Sequence, residues 1–287
     1  PTSMDESVTL ALGSIRSAGT PDPDLLIFAA TGIAGLLPAL QDGVKLDFKD
    51  ADGTPPAFRD LSLYAGSIGS TSVWICEDAP HPTAGDPSWT RAFPVWLAAA
   101  AGAQFLIHTS AGTGLEGDSD AAGVTALGPE SIVRVTDHIN LSGTTPLLGL
   151  GKSRFGPLFP DQTRLHDEAL AELAGTVAKA EGIPLLSSIA ACTIGPALST
   201  PAELESYRMT GAGIAVQRLG DPLIAAAHAG LGALALTAIT DMAAEQPAIA
   251  DMVLRASRVA PKLDLLVTRI VSEAGALVAA RREESPA

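Results

Sequence analysis

The stretch Phe105-Leu106-Ile107-His108-Thr109-Ser110-Ala111-Gly112-Thr113-Gly114 decides how the chain is read. An apolar run breaks abruptly into small and hydroxyl-bearing residues, and residues 117–123 continue glycine-bearing. A second apolar run, Val133-Arg134-Val135-Thr136-Asp137-His138-Ile139-Asn140-Leu141, ends in polar side chains. The expected structure is a buried strand ending in a loop of exposed amides and a hydroxyl, followed by another strand. In open α/β sheets, ligands bind beyond the carboxyl ends of strands, where such loops approach closely and offer N–H groups. An ordinary glycine-rich strand-to-helix turn has the same pattern, so the pattern alone leaves both readings open.

Working outward, strand-like and helical segments alternate. Residues 4–18 read as an amphipathic helix and 25–30 as a buried strand. Thr31-Gly32-Ile33-Ala34-Gly35 then reads as a glycine turn opening a helix, where exposed amides favour anions. Residues 41–60 suggest a surface excursion, and 61–66 with 70–77 a strand pair. Residues 87–103 read as helical, with Trp89, Phe93, Trp96 and Leu97 at core spacing. Further on come a loop at 156–161, a polar-faced helix at 162–181 and strands at 183–194 and 211–216. A helix at 222–230, a buried strand at 231–240 ending on Asp241, and a long closing helix at 249–280 complete the chain. No repeat or low-complexity linker interrupts it. One α/β domain over 1–287 is expected, with residues 1–20 an N-terminal helical extension and 281–287 a tail.

Composition excludes several function classes. A chain of 287 residues is ample for one large core. Its net charge of −14 argues against nucleic acid, whose phosphates need clustered Lys and Arg. Apolar runs such as 95–103 are too short to span a bilayer. Cys76 and Cys192 are the only cysteines, so no disulfide framework or zinc spacing is present. Residues 1–8 are polar and acidic, and no signal peptide is expected; a reducing cytoplasm fits.

The wording of the motifs is more specific than their pattern. Thr109-Ser110-Ala111-Gly112-Thr113-Gly114, Asp137-His138-Ile139-Asn140-Leu141, Arg154-Phe155 and Gly195-Pro196-Ala197-Leu198-Ser199-Thr200-Pro201-Ala202-Glu203 occur in that order. Together they resemble the trimeric purine nucleoside phosphorylase and methylthioadenosine phosphorylase family, over residues 25–271. The resemblance implies a mixed twisted central sheet flanked by helices, and a homotrimer with sites near subunit contacts. It also implies cleavage of a nucleoside N-glycosidic bond with inorganic phosphate as co-substrate and no other cofactor.

Residue by residue, the implied site is partly altered. Thr31 stands at the family's first phosphate-contacting hydroxyl, although on residue type alone it also reads as a helix cap. His81 matches the phosphate-loop histidine, but a histidine between prolines could equally be an exposed loop residue. The family arginine two residues earlier is Ala79, and Arg218 stands where a serine is expected. One guanidinium can make two parallel bonds to phosphate, so Arg218 could compensate, point outward or fill the pocket. Around the sugar, the expected tyrosine, glutamate, methionine and histidine are Thr83, Ala84, Gln217 and Ala250, while Phe155 is kept.

At the base position, Ser199 and Asp241 resemble the methylthioadenosine phosphorylase pairing. A carboxylate accepts from a 6-amino group, can donate to N7 when protonated, and repels a 6-oxo group. Asp241 could instead simply cap its strand. Ser110, Ala111 and Leu198 complete the implied substrate-binding set, with Asp241 and His81 in catalytic roles. The leading expectation is therefore a divergent phosphorylase acting on an adenine-type nucleoside. A phosphate-independent nucleosidase and a catalytically silent ligand-binding relative are the alternatives, motivated by the losses above. Of the remaining histidines, His108 is expected to be a satisfied core residue, His138 with Asp137 to belong to a structural strand end as the resemblance implies, His166 to lie on an exposed helix face and His228 on a packed one. No metal-ligand spacing appears among them.

Overall fold

The computed structural model describes residues 3–78, 85–115, 127–245 and 247–284. Helix α1 (Met4–Ser17) begins where the Ser3 hydroxyl accepts from the Glu6 N–H, and it buries Val8, Ala11, Leu12 and Ile15 on one face. Strand β1 (Leu25–Ala29) is buried throughout, as befits a strand covered on both faces. It is followed by β2 (Gln41–Asp47), β3 (Ser62–Ile68) and β4 (Thr71–Glu77), with β2–β3 and β3–β4 antiparallel and β4 parallel to β1. Then come α2 (Phe93–Ala100), β5 (Phe105–Gly114), β6 (Ile132–Asn140), α3 (Glu168–Ala180) and β7 (Leu185–Thr193). The chain continues through α4 (Pro201–Met209), β8 (Ile214–Gln217), α5 (Gly220–His228), β9 (Gly232–Met242), α6 (Ile249–Glu273) and α7 (Gly275–Glu284).

The nine strands form one mixed sheet in the order β2-β3-β4-β1-β5-β8-β7-β6-β9, and β5 pairs with β9 as well. That second pairing closes β5, β8, β7, β6 and β9 into a ring, while β1 to β4 extend from β5 as an open wing. The alternation of side chains sorts the core into two faces. Leu26 and Phe28 of β1 join a layer containing Phe48, Phe58, Phe93 and Trp96. Leu25 and Ile27 join the opposite layer, which includes Leu170 and Val177 of α3 and Leu263, Leu266 and Ile270 of α6. None of the described helices is long and apolar enough to cross a membrane.

The structure corrects several local expectations. The glycine-rich half of the opening motif is not a loop: β5 runs on to Gly114. Its glycines answer a close approach instead. A Cβ on Gly112 would sit 2.8 Å from the Ala215 carbonyl oxygen and 2.9 Å from Thr237 Cγ2. The turn at Thr31–Gly35 opens no α-helix and leads only to a 3-10 turn at Leu37–Ala39. Residues 41–60 are not a mere excursion, because they supply edge strand β2 and two fully buried rings, Phe48 and Phe58. Helix α3 starts at Glu168 rather than near 162, at an Asp167 cap whose carboxylate accepts from the Leu170 N–H. The closing helix breaks at Ala274 into α6 and α7.

His108 is mid-strand and 0% exposed, with its ring edge-on to Phe28 at 5.7 Å. It is not satisfied: neither ring nitrogen has a hydrogen-bond partner among the described residues. Burial, aided by the nearby Arg218 charge, pushes its pKa down to about 3.

The native state therefore holds His108 neutral while the unfolded chain protonates it near its ordinary value. Stability is full above that value and falls as pH drops from it toward 3. Urea unfolding at about pH 5 should show a loss on the order of 2 kcal/mol relative to about pH 8, and His108→Leu should flatten that slope. Gly112→Ala should lower stability by about 1–3 kcal/mol, since the Ala215 backbone of β8 and the Thr237 methyl of β9 would have to shift. A thermal or urea midpoint equal to that of the parent chain would contradict this.

Candidate active site

Thr113, Thr193, Leu198, Ser199, Gln217, Asp241 and Glu245 line a cavity of about 270 Å³ where β5, β7, β8 and β9 meet the start of α4. Four of the sequence-selected residues, Leu198, Ser199, Gln217 and Asp241, thus come together. The placement of Asp241 depends on an irregularity in β9. Thr109 of β5 faces Leu236 and Gly112 faces Ile239, but Thr113 faces Asp241, so Thr240 is an extra residue in the ladder. Such a bulge re-aims the side chain beyond it. Here it sets Asp241 directly opposite Thr113.

Two hydroxyls then hold the carboxylate. Thr113 Oγ1 donates to Asp241 Oδ2 at 3.0 Å, and Thr240 Oγ1 donates to Oδ1 at 2.8 Å. Asp241 is 8% exposed, so it neither faces solvent nor serves merely as a strand cap. A second carboxylate, Glu245, lines the same cavity. Its bond to Arg255 Nη1, 2.7 Å long, holds its pKa below the usual range, and the same nitrogen donates to the Thr240 carbonyl at 3.0 Å.

On the opposite rim, Gln217 Nε2 donates to the Ala197 carbonyl at 2.9 Å and so tethers the segment carrying Leu198 and Ser199. Gly195 lies below that tether with φ +67°, and a Cβ there would strike the Gln217 amide. The Thr200 capping box with Glu203, and Pro201 in the first turn, fix where α4 begins just after Ser199.

Of the other sequence-selected residues, Thr31 and Arg218 lie toward the carboxyl ends of β1 and β4. Thr31 Oγ1 and Thr109 Oγ1 are 2.9 Å apart, and the Asp78 N–H donates to the Ala29 carbonyl. Arg218 adopts a left-handed backbone with φ 65°, and its Nη2 bonds Asp78 Oδ1 at 2.7 Å. Its side chain is only 16% exposed, so it points inward, onto a carboxylate. Ser110 is buried and shares a 2.9 Å hydroxyl contact with Thr237, while Ala111 is exposed. Phe155 does not line the cavity; it packs partly buried against its own core, with Arg154 stacked over its ring at 5.0 Å. His81, with Ala79, Thr83 and Ala84, falls outside the described residues, as do residues 117–123.

Sequence reasoning missed Thr113, Thr193, Glu245 and Arg255. Thr113 was within reach, since it stands inside the quoted motif. Nothing in the spacing of Glu245 and Arg255 announces that they pair, or that Glu245 lines the cavity.

Comparison with known proteins places the chain in a family. The phosphorylase superfamily model matches residues 24–272. Purine nucleoside phosphorylase 1 of Bacillus subtilis is 28% identical over 257 residues, spanning 88% of this chain and 92% of that protein. The Mycobacterium tuberculosis purine nucleoside phosphorylase is 30% identical over 182 residues, spanning 63% of this chain and 61% of its own length. A Schistosoma purine nucleoside phosphorylase solved with hypoxanthine superposes with a TM-score of 0.83 at 20% identity, covering 95% of this chain and 99% of that one. The Schistosoma mansoni enzyme solved with adenosine gives 0.80 at 20% identity, covering 95% and 99%. At that identity the structures speak for the fold, and the family model carries the assignment: the chain belongs to the phosphorylase superfamily, as a member of the nucleoside phosphorylase family.

Proposed function

We propose that the protein is a purine-type nucleoside phosphorylase, a pentosyltransferase that cleaves the N-glycosidic bond of an adenine-type nucleoside such as methylthioadenosine or adenosine. The buried Asp241 carboxylate carries this reading. With Thr113 and Thr240 donating to it, its remaining lone pairs face a cavity that Ser199 also lines. A fixed acceptor suits a 6-amino group, and protonation would let it donate to N7 as the base leaves. A 6-oxo base would set lone pairs against lone pairs. Glu245, tied to Arg255, adds a second negative charge to the same wall.

Phosphate would enter beside Thr31 and Thr109, with His81 and Arg218 supplying positive character, and the working assembly would be a homotrimer with Phe155 near a subunit contact. The Arg218–Asp78 pair favours a second reading. A guanidinium already held by a carboxylate is a poorer anion receptor, because phosphate must displace or share it. Water would then be the nucleophile on the same base-recognition wall.

Adenine release from methylthioadenosine and adenosine should exceed base release from inosine, and should rise with added phosphate. Release indifferent to phosphate selects the hydrolytic reading, and no release from any of these substrates removes both. Arg218→Ser should raise the KM for phosphate with little change in the nucleoside KM if Arg218 contacts phosphate. Asp241→Asn should lower kcat/KM for the adenine nucleoside by about 10²–10³ and narrow its preference over inosine. An unchanged ratio between the two substrates would remove Asp241 from base recognition.

A further inference from the structure

Away from that cavity, β6 carries a cluster that the proposed reaction does not use. Asp137, His138 and His166 each bring a potential ligand atom to a common point, all within 4.8 Å of one another. His138 Nδ1 and His166 Nε2 are 3.1 Å apart. We propose that these three side chains form a binding site for one divalent transition-metal ion of the zinc or cobalt type, separate from the nucleoside cavity.

The local structure explains how residues so placed can converge. Adjacent residues on a regular strand point to opposite faces, but the β6–β7 ladder shifts register between Val135 and Asp137. Thr136 is the extra residue there, immediately ahead of Asp137 and His138, and such an irregularity re-aims the side chains that follow it. His166 arrives from elsewhere in the chain on an anchored segment. It forms a bridge with Ala233, the Ala233 N–H donates to the Leu165 carbonyl, and the Asp167 N–H donates to the Ala233 carbonyl. Asp167 also caps α3 and pairs with Arg281. His166 is thus part-buried and held by backbone bonds ahead of α3, not displayed on an exposed helix face as the sequence suggested.

The distance between the rings is informative. Two imidazole nitrogens bound about 2.0–2.1 Å from one ion stand about 2.9 Å apart in octahedral and about 3.4 Å apart in tetrahedral geometry. The 3.1 Å separation lies between these. A plain N–H···N bond also fits that distance; the Asp137 carboxylate accepts from the His138 backbone N–H at 2.7 Å through Oδ1, which leaves Oδ2 as the oxygen available to an ion. Two imidazoles and one carboxylate are a donor set for borderline ions, whereas magnesium and calcium prefer oxygen throughout.

Access is provided on both sides. Asp137 and His166 line a cleft of about 500 Å³, and Asp137 and His138 line a neighbouring one of about 730 Å³. Neither cleft shares a lining residue with the Asp241 cavity. Water could complete the coordination from either cleft, so the site is of the open type.

The test uses the full chain without a histidine tag, stripped with chelator and dialysed. Titration with cobalt(II) should give visible d–d absorption saturating at one equivalent, and zinc should abolish that absorption by displacement. Zinc should also raise the Tm of the stripped protein, because an ion bound only by the folded chain stabilises it. His166→Phe and, independently, Asp137→Asn should each weaken cobalt binding at least about tenfold while leaving far-UV circular dichroism unchanged. The amide variant keeps the volume of Asp137, so it stands as the test if the phenylalanine variant misfolds. Absence of the cobalt spectrum in the parent chain would overturn the proposal and leave the 3.1 Å contact as an N–H···N bond. Unchanged affinity in a folded variant would overturn it as well.

Discussion

Strand β5 is the constraint on which the architecture depends, because it has three partners and only two edges. Along Phe105–Thr109 it lies between β1 and β9, both parallel to it. By Thr113 and Gly114, β1 has been replaced by antiparallel β8. The exchange of neighbours turns the open wing into the closed ring, and it requires the β8 backbone to pass close to β5. Gly112 marks that crossing. A side chain there would separate the strands, and four strands of the ring line the candidate active site.

The active-site cavity follows from this geometry in a definite order. β9 runs beside β5 along its whole length, ring closure adds β8 at the second half, and the extra residue Thr240 shifts the β5–β9 register by one. The shift lets two threonine hydroxyls grip Asp241 where hydration is largely lost. A buried carboxylate without such donors would carry a penalty of several kcal/mol. The hydroxyls are therefore part of what allows the charge to be there. Arg218 is accommodated by the same logic: Asp78, with a side chain 3% exposed, shares its burial.

Much of this was legible in the sequence where apolar runs and short motifs reported on it. The buried strands β1, β5 and β9, the hairpin of β3 and β4, and the aromatic packing of α2 all follow from run length and spacing. Ser199 stands in one of the quoted motifs and Asp241 at the end of an expected strand, and both line the cavity. The failures have a common cause. Glycine and threonine read locally as loop, and only a neighbouring strand's backbone explains them inside β5. The bulge at Thr240 leaves no trace in composition. Glu245 with Arg255, Arg218 with Asp78 and His138 with His166 are pairings made by the fold, between positions whose local sequence carries no shared signal.

Thr31 meets Thr109 at one point of β5, and Asp241 meets Thr113 at another. Four residues of extended chain separate the two, about 13 Å at the usual strand rise. A hydrogen-bonded strand neither stretches nor compresses, so β5 works as a ruler between the two ends of the site. Substitution can change what is gripped at either end. The interval between the grips stays fixed, and with it the overall length of any ligand that engages both at once.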